Sequence, residues 1–238
     1  MKLRNLFFLS IGGLVLFLGA CSTKKDAFVN RNWHALNTRY NVLYNGGLAF
    51  EEGRETLNDS YRDNYWEILP VERMQVSEEI RLDSEDNNPN FLLAEEKATK
   101  AIQKHSMEVG GQERNPQIDE AFLLLGQARY FDQRYIPALE AFNYVLRKYE
   151  KSNKLNEARI WREKTNLRLG YDELALKNLN TLFKYDVLSD QDYADARAVA
   201  AQAYINLKAL DTAVQQMKIA AAYTLSLIHI SEPTRQES

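Results

Sequence analysis

The chain has 238 residues, 30 of them basic and 33 acidic, for a formal net charge of −3 at pH 7, enough for one or two domains with a real core. Apolar residues make up 45% and charged residues 26%, which excludes wholesale disorder on one side and a polytopic membrane protein on the other. The slightly acidic balance argues against a nucleic-acid partner, which needs concentrated Lys and Arg, and the single cysteine, Cys21, excludes an intrachain disulfide.

The first element reads as an export leader. Lys2 and Arg4 precede an apolar stretch of 13 residues, Leu6 to Leu18, interrupted only by Ser10, Gly12 and Gly13. At about 1.5 Å per residue it falls short of the roughly 30 Å hydrocarbon layer, so it fits a signal-peptide core and not a membrane span. It ends in Leu18-Gly19-Ala20-Cys21, small residues that a narrow peptidase site accepts, followed by a thiol. This resembles the lipobox of bacterial lipoproteins. The resemblance implies a leader over 1–20, palmitate and further acyl chains on Cys21, and a lipidated tether over 21–32. Each buried CH₂ contributes roughly 0.8 kcal/mol, and several chains anchor stably where one does not. Without Lys2 and Arg4, 28 basic residues face 33 acidic ones, a net of −5. Ser22 is not the Asp of inner-membrane retention, and Ser22-Thr23-Lys24-Lys25-Asp26 lacks the acidic cluster of surface-exported lipoproteins. The expected location is the outer membrane, facing the periplasm.

Residues 33–112 form an N-terminal helical region. Trp33, Leu36, Tyr40, Leu43 and Tyr44 lie on one helical stripe, and Leu48–Leu57 continues it past Gly46-Gly47. The pattern fits one long helix or a pair broken at the glycines. An irregular insertion is expected at about 60–90, with Trp66-Glu67-Ile68-Leu69-Pro70 followed by the polar run Asp83 to Pro89. Phe91 to Met107, carrying Leu92, Ala94, Ala98, Ala101 and Ile102, predicts a further helix, ended by Gly110-Gly111, which open a linker to Asn115.

Residues 113–224 predict three tetratricopeptide-like repeats. Asn115-Pro116 reads as an N-cap with proline at the first helical position. Leu125-Gly126 is the close-packing pair of the first helix, and Ala138, Phe142 and Val145 form the inner face of the second. Thirty-six residues on, Tyr135 recurs as Tyr171, Leu146 as Leu182 and Tyr149 as Tyr185, while Trp161-Arg162 replaces Leu-Gly and Leu174 replaces the small residue. At a further offset of 39, Ala200-Ala201, Tyr204, Leu210, Ala213, Met217 and Ala220 restore the pattern. The fold expected is all-α, a tetratricopeptide-type helical-repeat solenoid behind a lipoprotein signal peptide.

Residues 225–235, Leu-Ser-Leu-Ile-His-Ile-Ser-Glu-Pro-Thr-Arg, break the Ala-rich pattern at about Thr224. They resemble a translated sequencing-library adapter, so 225–238 is set aside as an artefactual tail and the array is expected to be truncated.

Three segments outside the repeats share one resemblance: Phe28-Val29-Asn30-Arg31-Asn32 with Tyr40-Asn41-Val42-Leu43-Tyr44-Asn45-Gly46; Asp63-Asn64-Tyr65-Trp66-Glu67-Ile68-Leu69-Pro70; and Asn115-Pro116-Gln117-Ile118-Asp119-Glu120-Ala121. Together they resemble the SprE/PorW-like tetratricopeptide lipoproteins of gliding motility and type IX secretion in Bacteroidetes, over residues 1–224. The resemblance implies a non-enzymatic outer-membrane scaffold whose partners are protein subunits of the secretion and motility machinery. The alternative is a lipid-anchored repeat module of a substrate-capture or envelope-remodelling protein whose active domain lies downstream.

No catalytic residue is predicted. A nucleophile needs a base beside it, and the histidines are His34, His105 and His229, the last in the tail. His34 and His105 are expected on helix surfaces or ends. No Gly-x-Ser-x-Gly elbow, His-Glu-x-x-His helix or phosphate loop occurs. The run Asp83 to Asn88 is no calcium loop, since Asn88 stands where the turn glycine belongs and Ala94 where the bidentate acid belongs. No metal, cofactor or nucleic acid is expected. Stacked hairpins leave a concave groove, and by repeat position its partner-binding candidates are Gln127, Tyr130, Glu163, Asn166 and Gln202, with Tyr130 as the best anchor.

Overall fold

The structure, a computed structural model, describes residues 22–24, 26–76 and 88–231, the last eight of these by backbone alone. The predicted leader, Cys21, the run Asp83 to Asn87 and residues 232–238 lie outside the described residues. The described chain is all-α apart from one two-residue hairpin.

The chain from Phe28 to Ser60 is one continuous helical run. Helix α1 (Phe28–Leu36) passes into a π-helical stretch (Asn37–Leu43) and then into α2 (Tyr44–Ser60). Leu36, Asn37 and Tyr44 all keep right-handed helical angles at the seams, and Tyr44 N–H bonds Arg39 C=O, the wide i→i−5 closure of a π turn. Gly46-Gly47 therefore do not break the helix. Gly46 is there for approach: a Cβ on it would stand 2.9 Å from Leu124 Cδ2 and 3.0 Å from Lys97 Cβ. Gly53, one further stretch along the same face, would meet the Phe91 ring at 2.7 Å.

Helix α3 (Pro89–His105) starts on Asn88, whose side chain accepts from Asn90 N–H, with Pro89 in the first turn. Its stripe Phe91, Ala94, Ala98 and Ala101 is buried. Gly110 and Gly111, at φ +62° and +76°, form the turn of a small antiparallel hairpin between β1 (Glu108–Val109) and β2 (Gln112–Glu113), which the sequence reading took for a linker. Asn115 is 1% exposed. Its Oδ1 accepts from Gln117 N–H, but its amide donates to Thr38 Oγ1 and His105 C=O, and the regular helix begins only at Ile118.

Three helical hairpins follow: α4 (Ile118–Phe131) with α5 (Tyr135–Lys148), α6 (Leu155–Arg168) with α7 (Asp172–Tyr185), and α8 (Asp190–Asn206) with α9 (Leu210–Ser231). Each turns through one left-handed residue: Gln133 (φ 60°), Gly170 (φ 78°) and Lys208 (φ 61°). Each also closes the same pair of backbone bonds, Gln133→Tyr130 with Arg134→Arg129, Gly170→Leu167 with Tyr171→Asn166, and Lys208→Ile205 with Ala209→Tyr204. That is the Schellman closure of a helix C-terminus, made three times.

These turns are 37 and 38 residues apart, and the buried small residues follow that spacing. Ala121, Ala158 and Ala196 are each fully buried, as are Ala128, Thr165 and Ala203, and Ala138, Ala175 and Ala213 are buried too. The offsets of 36 and 39 read from the sequence are therefore each wrong by one. Leu174 is 47% exposed, and Ala175 is the true partner of Ala138. Tyr171 and Tyr185 lie exposed where Tyr135 is buried. Helix α9 runs on to Ser231, past the point near Thr224 where the Ala-rich sequence pattern ends.

Packing differs along the chain. The larger core joins α2 through α6 around Phe50, Phe91 and Phe131, with Tyr130, Phe142 and Trp161 interlocked by ring contacts of 5.3 to 6.1 Å. The second core, between α6 and α8, is aliphatic and alanine-rich, built on Leu179, Leu182, Val199 and Ala200. On α9, Val214 and Met217 stay exposed.

Candidate functional site

An open cleft of about 1450 Å³ runs along α2 and the first helix of each hairpin, α4, α6 and α8. Gln127, Lys164 and Gln202 all line it, and they occupy one and the same position of the three hairpins in the 37- and 38-residue register.

The cleft is not empty of polypeptide. The irregular segment after α2 crosses it, with Pro70, Val71 and Glu72 among its walls. Val71 N–H donates to Gln202 Oε1 at 2.8 Å. Glu72 is the anchor. Lys164 Nζ donates to its Oε1 at 2.6 Å, and Arg168 and the Tyr130 hydroxyl donate to its Oε2 at 2.9 and 2.5 Å. Arg168 Nε also donates to the Tyr130 oxygen at 2.8 Å. Met74 is buried in the aromatic core, and Gln133 Nε2 donates to Gln75 C=O at 3.2 Å. Trp161 supports the cluster from below, its ring 4.2 Å from Lys164 Nζ.

The electrostatics follow from that geometry. Burial alone would raise the Glu72 carboxyl, but the Lys164 and Arg168 charges and the hydrogen bonds from Lys164 and Tyr130 bring it down to about 2. Burial and the neighbouring Glu72 push the Tyr130 hydroxyl well above its usual value, so it stays a neutral donor. Burial disfavours the Arg168 charge, and Tyr130 and Glu72 more than restore it. Because the Glu72 carboxyl titrates lower folded than its ordinary 4.5, its contribution is fully present above that value. It is lost only as pH falls toward 2.

Of the residues expected in the groove, Gln127, Tyr130 and Gln202 line it. Tyr130 is 1% exposed with its hydroxyl already committed, so it acts as a wall and not as a free anchor. Gln127 is nearly buried and donates to Glu157 at 3.3 Å. Glu163 and Asn166 are not in the cleft. They sit between α6 and α7, where Glu163, 1% exposed, accepts from Arg162, Asn166 and Asn178 at 2.7 to 3.1 Å. The physical reason is the one-residue slip, which rotates a helix by about 100° and exchanges Lys164 for Glu163. Missed were Lys164, Arg168 and Glu72. Lys164 and Arg168 stand four apart on one face of α6, a visible pairing, but nothing local to either marks a partner more than ninety residues upstream.

His34 and His105, expected on surfaces or helix ends, are both buried. Their Nδ1 atoms meet at 3.1 Å, and Trp33 packs edge-on to His34. Burial, His34 and Lys100 all lower the His105 imidazole. His105 does close α3, which is the helix end the sequence indicated. A second ionic clip ties α3 to the first hairpin turn: Glu95 receives Arg129 at 2.8 Å and also Arg134, which binds Asp132 at 2.6 Å.

Among the described residues no group of three or more His, Cys, Asp and Glu is placed to hold a metal ion, and no helix is long and apolar enough to cross a membrane. No protein-family model matches the chain, and no curated protein matches its sequence.

Proposed function

We propose that the chain is a tetratricopeptide-type helical-repeat scaffold, lipid-anchored through Cys21 at the periplasmic face of the outer membrane. It works without an enzymatic step, assembling protein subunits of type IX secretion and gliding motility. The observation that carries the scaffold part is the cleft. Successive hairpins in one register present equivalent side chains along it, and it holds an irregular stretch of polypeptide through side-chain contacts to both a backbone N–H and a carboxylate. Such a surface suits recognition of a peptide segment. The anchor and the secretion system rest on the leader, Cys21 and the three sequence segments that resemble the SprE/PorW-like lipoproteins.

The mechanism is geometric. Acyl chains on Cys21 fix the chain to the membrane, residues 21–32 give reach, and the cleft binds partner subunits. In-cell cross-linking followed by co-purification tests it. Secretion-machine subunits are the expected catch, and recovery of peptidoglycan- or glycan-processing enzymes alone would overturn the reading. A Cys21→Ala variant is expected to leave the membrane fraction, and one that stays membrane-bound without lipid would remove the anchor.

A further inference from the structure

The segment across the cleft is held as a ligand is held. From Tyr61 to Val76, Met74 is the one fully buried side chain and Asp63, Val71 and Glu72 are half-buried, while Tyr65, Trp66, Ile68 and Leu69 leading into the cleft are exposed. Among the described residues the segment is attached through the Val71 backbone N–H, the Glu72 carboxylate, the Met74 side chain and the Gln75 carbonyl. A peptide from another chain can supply each of these.

The cation pair also asks for an anion. Lys164 and Arg168 are only 25% and 18% exposed and lie against the Trp161 and Tyr130 rings. With the segment seated, a neutral group in place of its carboxylate would strand two partly desolvated charges. The rest of the cleft is net acidic, with Glu51, Glu55, Asp192 and Asp195 along its walls against Arg54 and Lys154. A polyacidic chain would be repelled there, so selection favours one carboxylate in one place. The chain's own Pro70-Val71-Glu72-Arg73 has that composition.

We propose that residues 69–76 are an intramolecular ligand that occupies the cationic stretch of the cleft, and that the segment bound there in trans is a peptide presenting a single carboxylate, flanked by apolar or basic residues, to Tyr130, Lys164 and Arg168. This rests on the reading of the cleft as a protein-binding surface and names the chemistry of the partner. A tethered ligand acts at an effective concentration in the millimolar range, so a free peptide competes poorly until the strap lifts. The cationic stretch of the cleft is self-occupied until a better-fitting partner displaces the strap.

The test uses the purified full chain and a fluorescent synthetic peptide of residues 69–76, amidated at its C-terminus so that Glu72 is its one carboxylate, as probe. In a variant with residues 69–76 replaced by a Gly-Ser stretch of equal length, the peptide is expected to bind at least tenfold more tightly than to the unaltered chain. A peptide carrying Glu72→Gln, or a protein carrying Lys164→Ala with Arg168→Ala, is expected to lose at least tenfold of that gain. A folded variant that binds no better than the unaltered chain, or binds the Gln peptide equally well, overturns the proposal. Should the replacement fail to fold, amide exchange on the unaltered chain decides. Amides of 69–76 are expected to exchange by local opening, well ahead of α4 and α6, and exchange only with global unfolding would make the segment a core element and not a ligand. Neither measurement involves cellular partners, so failure here is distinct from failure of the co-purification.

Discussion

The first two hairpins solve the same packing problem in opposite ways. At the position where α4 carries Gly126, α6 carries Glu163, and both face the second helix of their own hairpin. In the first hairpin the side chain is absent, and the Phe142 ring fills the space so closely that a Cβ on Gly126 would come within 2.5 Å of it. In the second, Leu179 stands where Phe142 does, and the room it leaves is taken by a buried carboxylate with donors from Arg162, Asn166 and Asn178. A shared backbone path therefore does not need a shared side chain. It needs the space filled and every buried polar atom partnered.

The largest effect expected from breaking this contrast is at Glu163. Glu163→Ala leaves the Asn166 and Asn178 amides and the Arg162 guanidinium without their acceptor, at a cost of about 3 kcal/mol, to be read from the urea midpoint at constant slope. Next comes Gly126→Ala, which forces the Phe142 ring to move and costs about 2 kcal/mol. Adding Phe142→Leu, the residue type of the second hairpin, is expected to recover most of that loss. A double variant no better than the single one would mean that the two hairpins are not equivalent at this site.

Acid distinguishes the N-terminal region from the hairpins. The His105 imidazole is lowered from its ordinary 6.5, so folding releases protons there. Stability is intact above about that pH and falls as pH drops below it. The fall is expected in urea titrations between pH 7.5 and 5.5, and His105→Gln should flatten it. The smallest effects lie in the turns. Lys208→Gly is expected to gain about 0.5–1 kcal/mol by relieving a left-handed residue, and Gly170→Ala to lose about 1 kcal/mol although its Cβ would meet open space. Thermal unfolding of the two variants checks both signs.

Much of this architecture was legible in the sequence. The stripe of α3, the close approach at Gly126 and the inner face Ala138, Phe142 and Val145 all carry helical periodicity, but the apolar stripe Trp33, Leu36, Tyr40 and Tyr44 lies exposed, and the first helical run buries His34, Thr38, Val42, Gly46 and Ala49 instead. What failed was register, and for a specific reason. Tyr135 and Tyr171 invite alignment because they are identical, but one is buried and the other exposed. The better marker was Gly170, the one glycine among the three left-handed turn residues, whose partners Gln133 and Lys208 carry no sequence signal for φ > 0. With the turns aligned, Lys164 replaces Glu163 in the series with Gln127 and Gln202. Gly46 misled in the other direction, since a glycine that lets helices touch looks in sequence like one that ends a helix. Glu72 was out of reach altogether, because its partners are distant and the segment around it has no periodicity.

The hold of Glu72 on Arg168 is a contact on which the seated segment depends, and a double-mutant cycle measures it directly. Glu72→Ala, Arg168→Ala and the double variant are compared by urea unfolding with the unaltered chain. A coupling of at least about 1 kcal/mol is expected between the two sites. Additivity within about 0.3 kcal/mol would contradict it and leave the segment lying beside the cleft without being bound there.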